Sequence, residues 1–403
     1  MVVRKELTTL LLVLLAGFVP LVGCGDDRAG DDANGPAGSA GSGFDVELAR
    51  QVVENYADGV YASYEAALTS AKAMAGAINA FLAAPSNETL EAARQAWTDA
   101  RDEYGRTEAY RFYGGPIDND DDGPEALLNG WPLDEAYIDR VEGGAGPGII
   151  GDTENFPEIT EAALVAANEQ GGEANLSTGW HAIEFLLWGQ DRSVDGPGNR
   201  PVSDYITDPN ADRRSAYLNV VTELLVKHLA SLVAAWAPEG DNYRARFIEQ
   251  DAATSLVNMV TGIGELSRGE LAGERMNVAY EERDQENEHS CFSDTTTADL
   301  IANAEGILEV WTGRYAAGPR GPGLEALVAR ADREKARRVT ESMEASLTRL
   351  REIPAPFDQH LTDDAPDDGP GRTAIRDSIR LLSEQTDALV IAAKAIGLSV
   401  EVS

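Results

Sequence analysis

Residues 211–237 read ADRRSAYLNVVTELLVKHLASLVAAWA. Tyr217, Val220, Val221, Leu224, Leu225, His228, Leu232 and Trp236 recur at steps of three and four, which places them on one face of a helix. Alternation at period two, the mark of a half-buried strand, is absent here. The stretch therefore predicts a long helix with one apolar stripe.

The same pattern continues on both sides. Ser86 follows Pro85 as a candidate N-cap, and Leu90, Ala93, Trp97 and Tyr104 mark the buried side of the helix that it opens. Further helices are predicted at about 45–83, 125–141, 158–169, 178–189, 243–266, 298–315, 322–352 and 372–397. No run of alternating β-branched residues competes with them, so the expected fold class is all-α. Gly196, Pro197, Gly198, Pro201 and Pro209 punctuate residues 193–210 and suit a linker between two helical-bundle domains, 44–205 and 206–403. Within the second, the segments 211–237, 243–266, 322–352 and 372–397 are expected to form a four-helix bundle. Residues 268–297 form a long polar segment, a length of loop that often carries function.

The beginning of the chain reads as an address. Arg4 and Lys5 precede an apolar run from Leu10 to Val22, which ends in Leu21-Val22-Gly23-Cys24. This is the pattern of a bacterial lipoprotein signal, residues 1–23, with Cys24 lipidated after cleavage. Residues 24–43, rich in Gly, Asp, Ala and Ser, then form a flexible acidic spacer. No later segment reads as apolar enough to span a bilayer. The expected location is the periplasmic side of the envelope, anchored to the inner or outer membrane. With Cys24 consumed by lipid, Cys291 is the only thiol left, so stability has to come from packed helices rather than disulfides.

The chain has 403 residues, a quarter of them charged, and a net charge of −36. Such a surface repels nucleic acid and anionic lipid headgroups and attracts cations. It argues against a nucleic-acid partner.

Chemistry is expected first at Trp180-His181-Ala182-Ile183-Glu184-Phe185-Leu186-Leu187-Trp188, where two ionisable residues stand in an apolar run. Spacing i, i+3 puts the imidazole and carboxylate on one helix face, and the bulky neighbours imply burial of both. A buried carboxylate requires a partner or a cation. His and Glu side by side make a half-site for zinc or iron; the alternative is a buried hydrogen bond that only orders the core. Glu108, Tyr104 and Arg111 can share a face in RDEYGRTEAYRFYGGPID, as ligands or as an ion pair beside the core. Asp134 and Glu135 suit the positive end of a helix after Pro132. Glu286, Glu288, His289, Cys291 and Asp294 crowd one loop. His228 reads as a core or interface histidine and His360 as solvated. The H-E-x-x-H zinc pattern, a Gly-x-Ser-x-Gly elbow and a Walker-type glycine loop are all absent from the sequence.

Gly179-Trp180-His181-Ala182-Ile183-Glu184 matches the G-x-H-x-x-E signature of the imelysin family. The segments EAYRFYGGPID (108–118), NGWPLDEAYID (129–139), LSRGELAGERM (266–276) and ENEHSCFSD (286–294) extend the likeness, which resembles the iron-regulated protein A branch of that family. The resemblance implies an imelysin-like, all-α, two-domain envelope lipoprotein linked to iron acquisition. His181 and Glu184 fall on the family's proposed metal positions, and Glu108 is the expected third ligand from another helix. Arg111, Asp134, Glu135, Glu288 and His289 are expected at the rim. The ion would be divalent or trivalent, iron ahead of zinc, free or as a chelate, with envelope iron-uptake proteins as partners. The rival reading is a zinc peptidase of the imelysin type, and a third is a non-enzymatic structural or interaction protein.

Overall fold

Asp45 accepts a hydrogen bond from the Leu48 amide and opens a 38-residue helix, Val46–Ala83. In this computed structural model the chain is described over residues 45–402; the leader, Cys24 and the spacer to residue 43 lie outside them. The first helix buries Val52, Tyr56, Val60, Tyr64, Ala67, Ala71, Met74, Ile78 and Phe81, a stripe at helical spacing. Ser86 caps Asn87–Thr107, as expected, and does so in a reciprocal box with Thr89; Leu90, Ala93, Trp97 and Tyr104 are buried. These two helices pack on each other, and Ala211–Trp236 packs on the first.

In Ala211–Trp236 the buried stripe includes Tyr217, Val221, Leu224, Leu225, Leu232 and Trp236. Val220 and His228 lie at its margin, half-buried. Its position differs from the expected bundle. Ala211–Trp236 joins the first helix and the short helix Gly179–Trp188, whereas Arg333–Leu350 pairs with Pro370–Ala395. The chain crosses the linker at 193–210 with contacts running between its two halves, and Ser42–Ser403 forms one compact unit.

Several predicted helices are interrupted, each for a local reason. The segment 125–141 divides into Glu125–Leu128 and Glu135–Ile138, because Pro132 lacks an amide and excludes the residue before it from helical geometry. Asp251 and Asp332 break 243–266 and 322–352 by turning their carboxylates back to cap the helices that follow. The polar segment from Arg268 is instead helical as far as Glu282, through a π-helical stretch Leu266–Asn277 that packs on Pro370–Ala395. Among the described residues the only β pairing is an isolated bridge between Arg314 and Arg320, so the all-α reading stands.

Two helices, Val46–Ala83 and Ala211–Trp236, do have the length and apolarity to cross a membrane, with mean hydropathies of 1.2 and 1.4. This corrects the expectation that no later segment would. Both pack on other helices through buried faces and have exposed residues on the opposite side, the pattern of core helices in a water-soluble body.

Candidate metal centre

The signature helix Gly179–Trp188 is buried at all ten positions. Gly179 enters it at φ +92°, and a Cβ there would lie 2.5 Å from the Leu128 carbonyl oxygen, so only glycine fits. Trp97 donates from Nε1 to the Trp180 carbonyl at 3.1 Å, and Arg94 bonds the Leu187 carbonyl. The helix is thus fixed along its length to Asn87–Thr107.

His181 and Glu184 meet as the spacing predicts. His181 Nδ1 lies 2.9 Å from Glu184 Oε2, with the two side chains 1% and 0% exposed. The other Glu184 oxygen accepts from the Ser293 amide at 2.9 Å and its hydroxyl at 2.6 Å. Burial pushes the Glu184 carboxyl up to about 8 against the pull of these bonds. Burial, then Arg101 and His289, holds His181 well below the ordinary imidazole range. Arg101 Nη2 stands 3.4 Å from His181 Nε2. A guanidinium only donates, so Nε2 accepts and Nδ1–H donates to Glu184.

Arg101 also holds Asp299 through Nε and Nη2, at 3.3 and 3.2 Å. Asp299 Oδ2 takes further bonds from His289 Nδ1 at 2.9 Å and Ser290 Oγ at 2.6 Å. Burial would raise Asp299, but Arg101 and the His289 bond hold it well below the carboxylate range. This juxtaposition depends on two glycines. A Cβ on Gly306 would lie 2.3 Å from the Arg106 carbonyl, and one on Gly105 would lie 2.8 Å from the Ala302 Cβ. Without those side chains, Asn87–Thr107 and Thr296–Thr312 close on each other.

Glu108 is buried, and one of its oxygens is taken by arginines. Oε2 accepts from Arg111 at 2.8 Å, Arg275 at 2.6 Å and Asn129 at 3.3 Å, while Oε1 has no hydrogen-bond partner. Burial raises this carboxyl, yet Arg111, Arg275 and Arg101 together carry it well below its usual range. It connects to His181 indirectly, through Asn129, whose Oδ1 accepts from Arg101. Among the described residues, the only three His, Cys, Asp or Glu side chains whose ligand atoms all lie within 4.8 Å of one another are Asp191, Asp294 and Asp358. Glu108 therefore does not converge with His181 and Glu184 in this structure.

The rim residues divide. Arg111 binds Glu108 and Glu125, and the His289 ring lies 4.9 Å from that of His181. Asp134 caps Glu135–Ile138 through the Ala136 amide. Glu135 is pushed up to about 7, by burial first and then by Glu286 and Asp134. Burial, and then the charges of Asp358, Asp294 and Asp191, push the fully buried Glu288 well above the usual carboxylate range against the pull of the Thr296 side chain. A cleft of about 510 Å³, lined by Arg111, Asn129, Trp131, Glu270, Arg275 and His289 among others, reaches the edge of the network. The Trp131 ring lies against His181, 4.7 Å between centroids, and closes the pair off from it.

Arg101, Asn129, Arg275, Ser293 and Asp299 escaped the sequence reading. The signal that could have found Arg275 is its place in LSRGELAGERM, which forms the π-helical stretch, a feature frequent at functional sites.

Known proteins share this architecture. Residues 60–389 match the imelysin family. Iron-regulated protein A of Synechococcus elongatus is 24% identical over 324 residues, 78% of each chain. A solved structure named as an iron-regulated protein A precursor from Parabacteroides distasonis superposes with a TM-score of 0.68 at 19% identity, covering 89% of this chain and 97% of that one. An imelysin-like protein from Psychrobacter arcticum gives 0.64 at 14% identity, covering 89% and 98%. With the signature helix at the centre of a match that runs through most of its length, the chain belongs to the imelysin family.

Proposed function

We propose that this protein binds a metal ion in the bacterial envelope in the service of iron acquisition, with His181 and Glu184 as the ligands and a lipid on Cys24 as the anchor. The carrying observation is the buried pair itself. Glu184 is fully buried and, among the described residues, has no Lys or Arg salt bridge, and its Oε2 lies 2.9 Å from His181 Nδ1. An ion bound between these atoms would take the place of the Nδ1 proton of the metal-free state, leaving the neutral ring's proton on Nε2. The carboxylate in the donor set favours iron over copper. The name of the Synechococcus relative points the same way. Ser293 holds Glu184 in place, and Arg101, tied to Asp299, orients the His181 ring. Glu108 organises Arg275 and Asn129 around them. The ion or its chelate is cargo, and envelope iron-uptake proteins are the partners that would supply or receive it.

The test is elemental analysis of the purified protein after iron and zinc loading, beside His181→Ala and Glu184→Ala. Stoichiometric iron in wild type, lost in both variants while their far-UV circular dichroism is unchanged, is the expected result. A folded wild type that holds neither metal would leave the pair as core architecture. For the anchor, Cys24→Ser should move the protein from the membrane fraction to the soluble envelope fraction.

A further inference from the structure

A second group of carboxylates lies apart from the His181 pair. Asp191 follows the signature helix, Glu288 and Asp294 come from the loop before Thr296–Thr312, and Asp358 belongs to the short turn Asp358–His360. Ligand oxygens of Asp191, Asp294 and Asp358 all lie within 4.8 Å of one another. That span matches a calcium coordination shell, in which opposite oxygens stand about 5 Å apart.

A separate observation concerns Glu288. It is 0% exposed, and neither of its oxygens has a hydrogen-bond partner. Burial first, and then the charges of Asp358, Asp294 and Asp191, hold its carboxyl well above the usual carboxylate range, although it is not one of the three residues whose ligand oxygens lie within 4.8 Å of one another. Asp358 is also 0% exposed with both oxygens unbonded. Both oxygens of Asp294 and one of Asp191 are equally without partners, and the remaining Asp191 oxygen accepts from the Ser193 amide. None of the four makes a salt bridge to Lys, Arg or His among the described residues. Asp358 thus brings two buried oxygens without a hydrogen-bond partner into the group, which is costly in a folded protein unless a cation meets them.

We propose that Asp191, Asp294 and Asp358 form a site for a hard divalent cation, calcium by preference, that ties together three loops around the signature helix. The donors are all oxygen, with no imidazole or thiolate, which selects calcium over iron or zinc. Asp294 is the half-exposed member of the group, although its carboxylate oxygens are buried. It directly follows Ser293, the residue that holds Glu184, so the ion would steady the neighbouring pair without touching it. Burial and mutual repulsion push Asp191 up to about 6 and Asp294 up to about 7. The competing arrangement is therefore a shared proton between these two aspartates, and calcium binding separates the two.

The experiment is calorimetric titration of chelator-treated, full-length protein with calcium chloride and magnesium chloride, read beside the thermal midpoint. One calcium per chain, a midpoint raised by a few degrees, and weaker magnesium binding are expected. Asp294→Asn and Asp358→Asn should each weaken calcium at least roughly tenfold, while His181→Ala should bind it like wild type. No saturable calcium binding by folded wild type overturns the proposal, whatever the variants do. So does affinity unchanged in both Asp variants, or lost in a folded His181→Ala.

Discussion

Arg101 joins otherwise separate parts of the centre with one guanidinium: Asn129, Asp299 and the His181 ring. It is buried, and so is Asp299. Replacing one partner leaves the other charge in a dry interior, so Arg101→Met should cost roughly 3–5 kcal/mol in urea denaturation. Pairing it with Asp299→Asn should recover part of that loss, because the uncompensated charge is then gone. Ser293→Ala is a milder change. It removes the hydroxyl bond to Glu184 and leaves the amide bond, so a loss of about 1 kcal/mol is expected, together with weaker iron binding by calorimetry.

At the scale of elements, the contact between Asn87–Thr107 and Thr296–Thr312 places Arg101 opposite Asp299. Gly306→Ala would force a methyl against the Arg106 carbonyl and part the two helices, at a cost of about 1–3 kcal/mol in chemical denaturation. The same helix carries Glu309, 9% exposed, which burial pushes up to about 7 from an ordinary 4.5. The folded state thus holds this proton more tightly than the unfolded chain. Its contribution is complete below about pH 4.5 and is lost as pH rises through about 7. Glu309→Gln stays neutral throughout, so it should gain stability relative to wild type between pH 5 and pH 8, by at most about 3 kcal/mol. A difference between the two proteins that stays flat across that range would count against it.

The long helices were legible because each carries an apolar stripe at helical spacing that has to be buried. Their breaks were not. Asp251 and Asp332 are compatible both with an exposed turn of helix and with a cap, and the apolar period runs on past them. The His181–Glu184 pair was legible because two polar residues stand out in an apolar run. Arg101 sits among Asp99, Asp102 and Glu103, where a charge reads as solvated surface, and Asp299 lies in the first turn of its helix, where an acid reads as complementing the helix end. Nothing local to Arg101 signals a partner 198 positions away.

Over the whole molecule, 69 acidic residues face 33 basic ones, and a net charge of −36 repels itself in the folded state. Salt screens this repulsion over about 10 Å at 0.1 M. The thermal midpoint should therefore rise as sodium chloride is raised from low to physiological strength, and a midpoint that falls would assign more of the stability to the ion pairs than to packing.

The separation of Arg101 from Asp299 also has a consequence for synthesis. A ribosome that has made the signature helix has not yet made Ser293, Asp299 or Asn303, so a nascent or truncated chain carries the motif without its supports. Such a chain holds an imidazole and a carboxylate that nothing orients, and should scavenge metal poorly. Under the proposed metal-binding role, completion of the polypeptide would act as a checkpoint on metal capture, and a fragment ending at residue 205 should pass through iron loading empty.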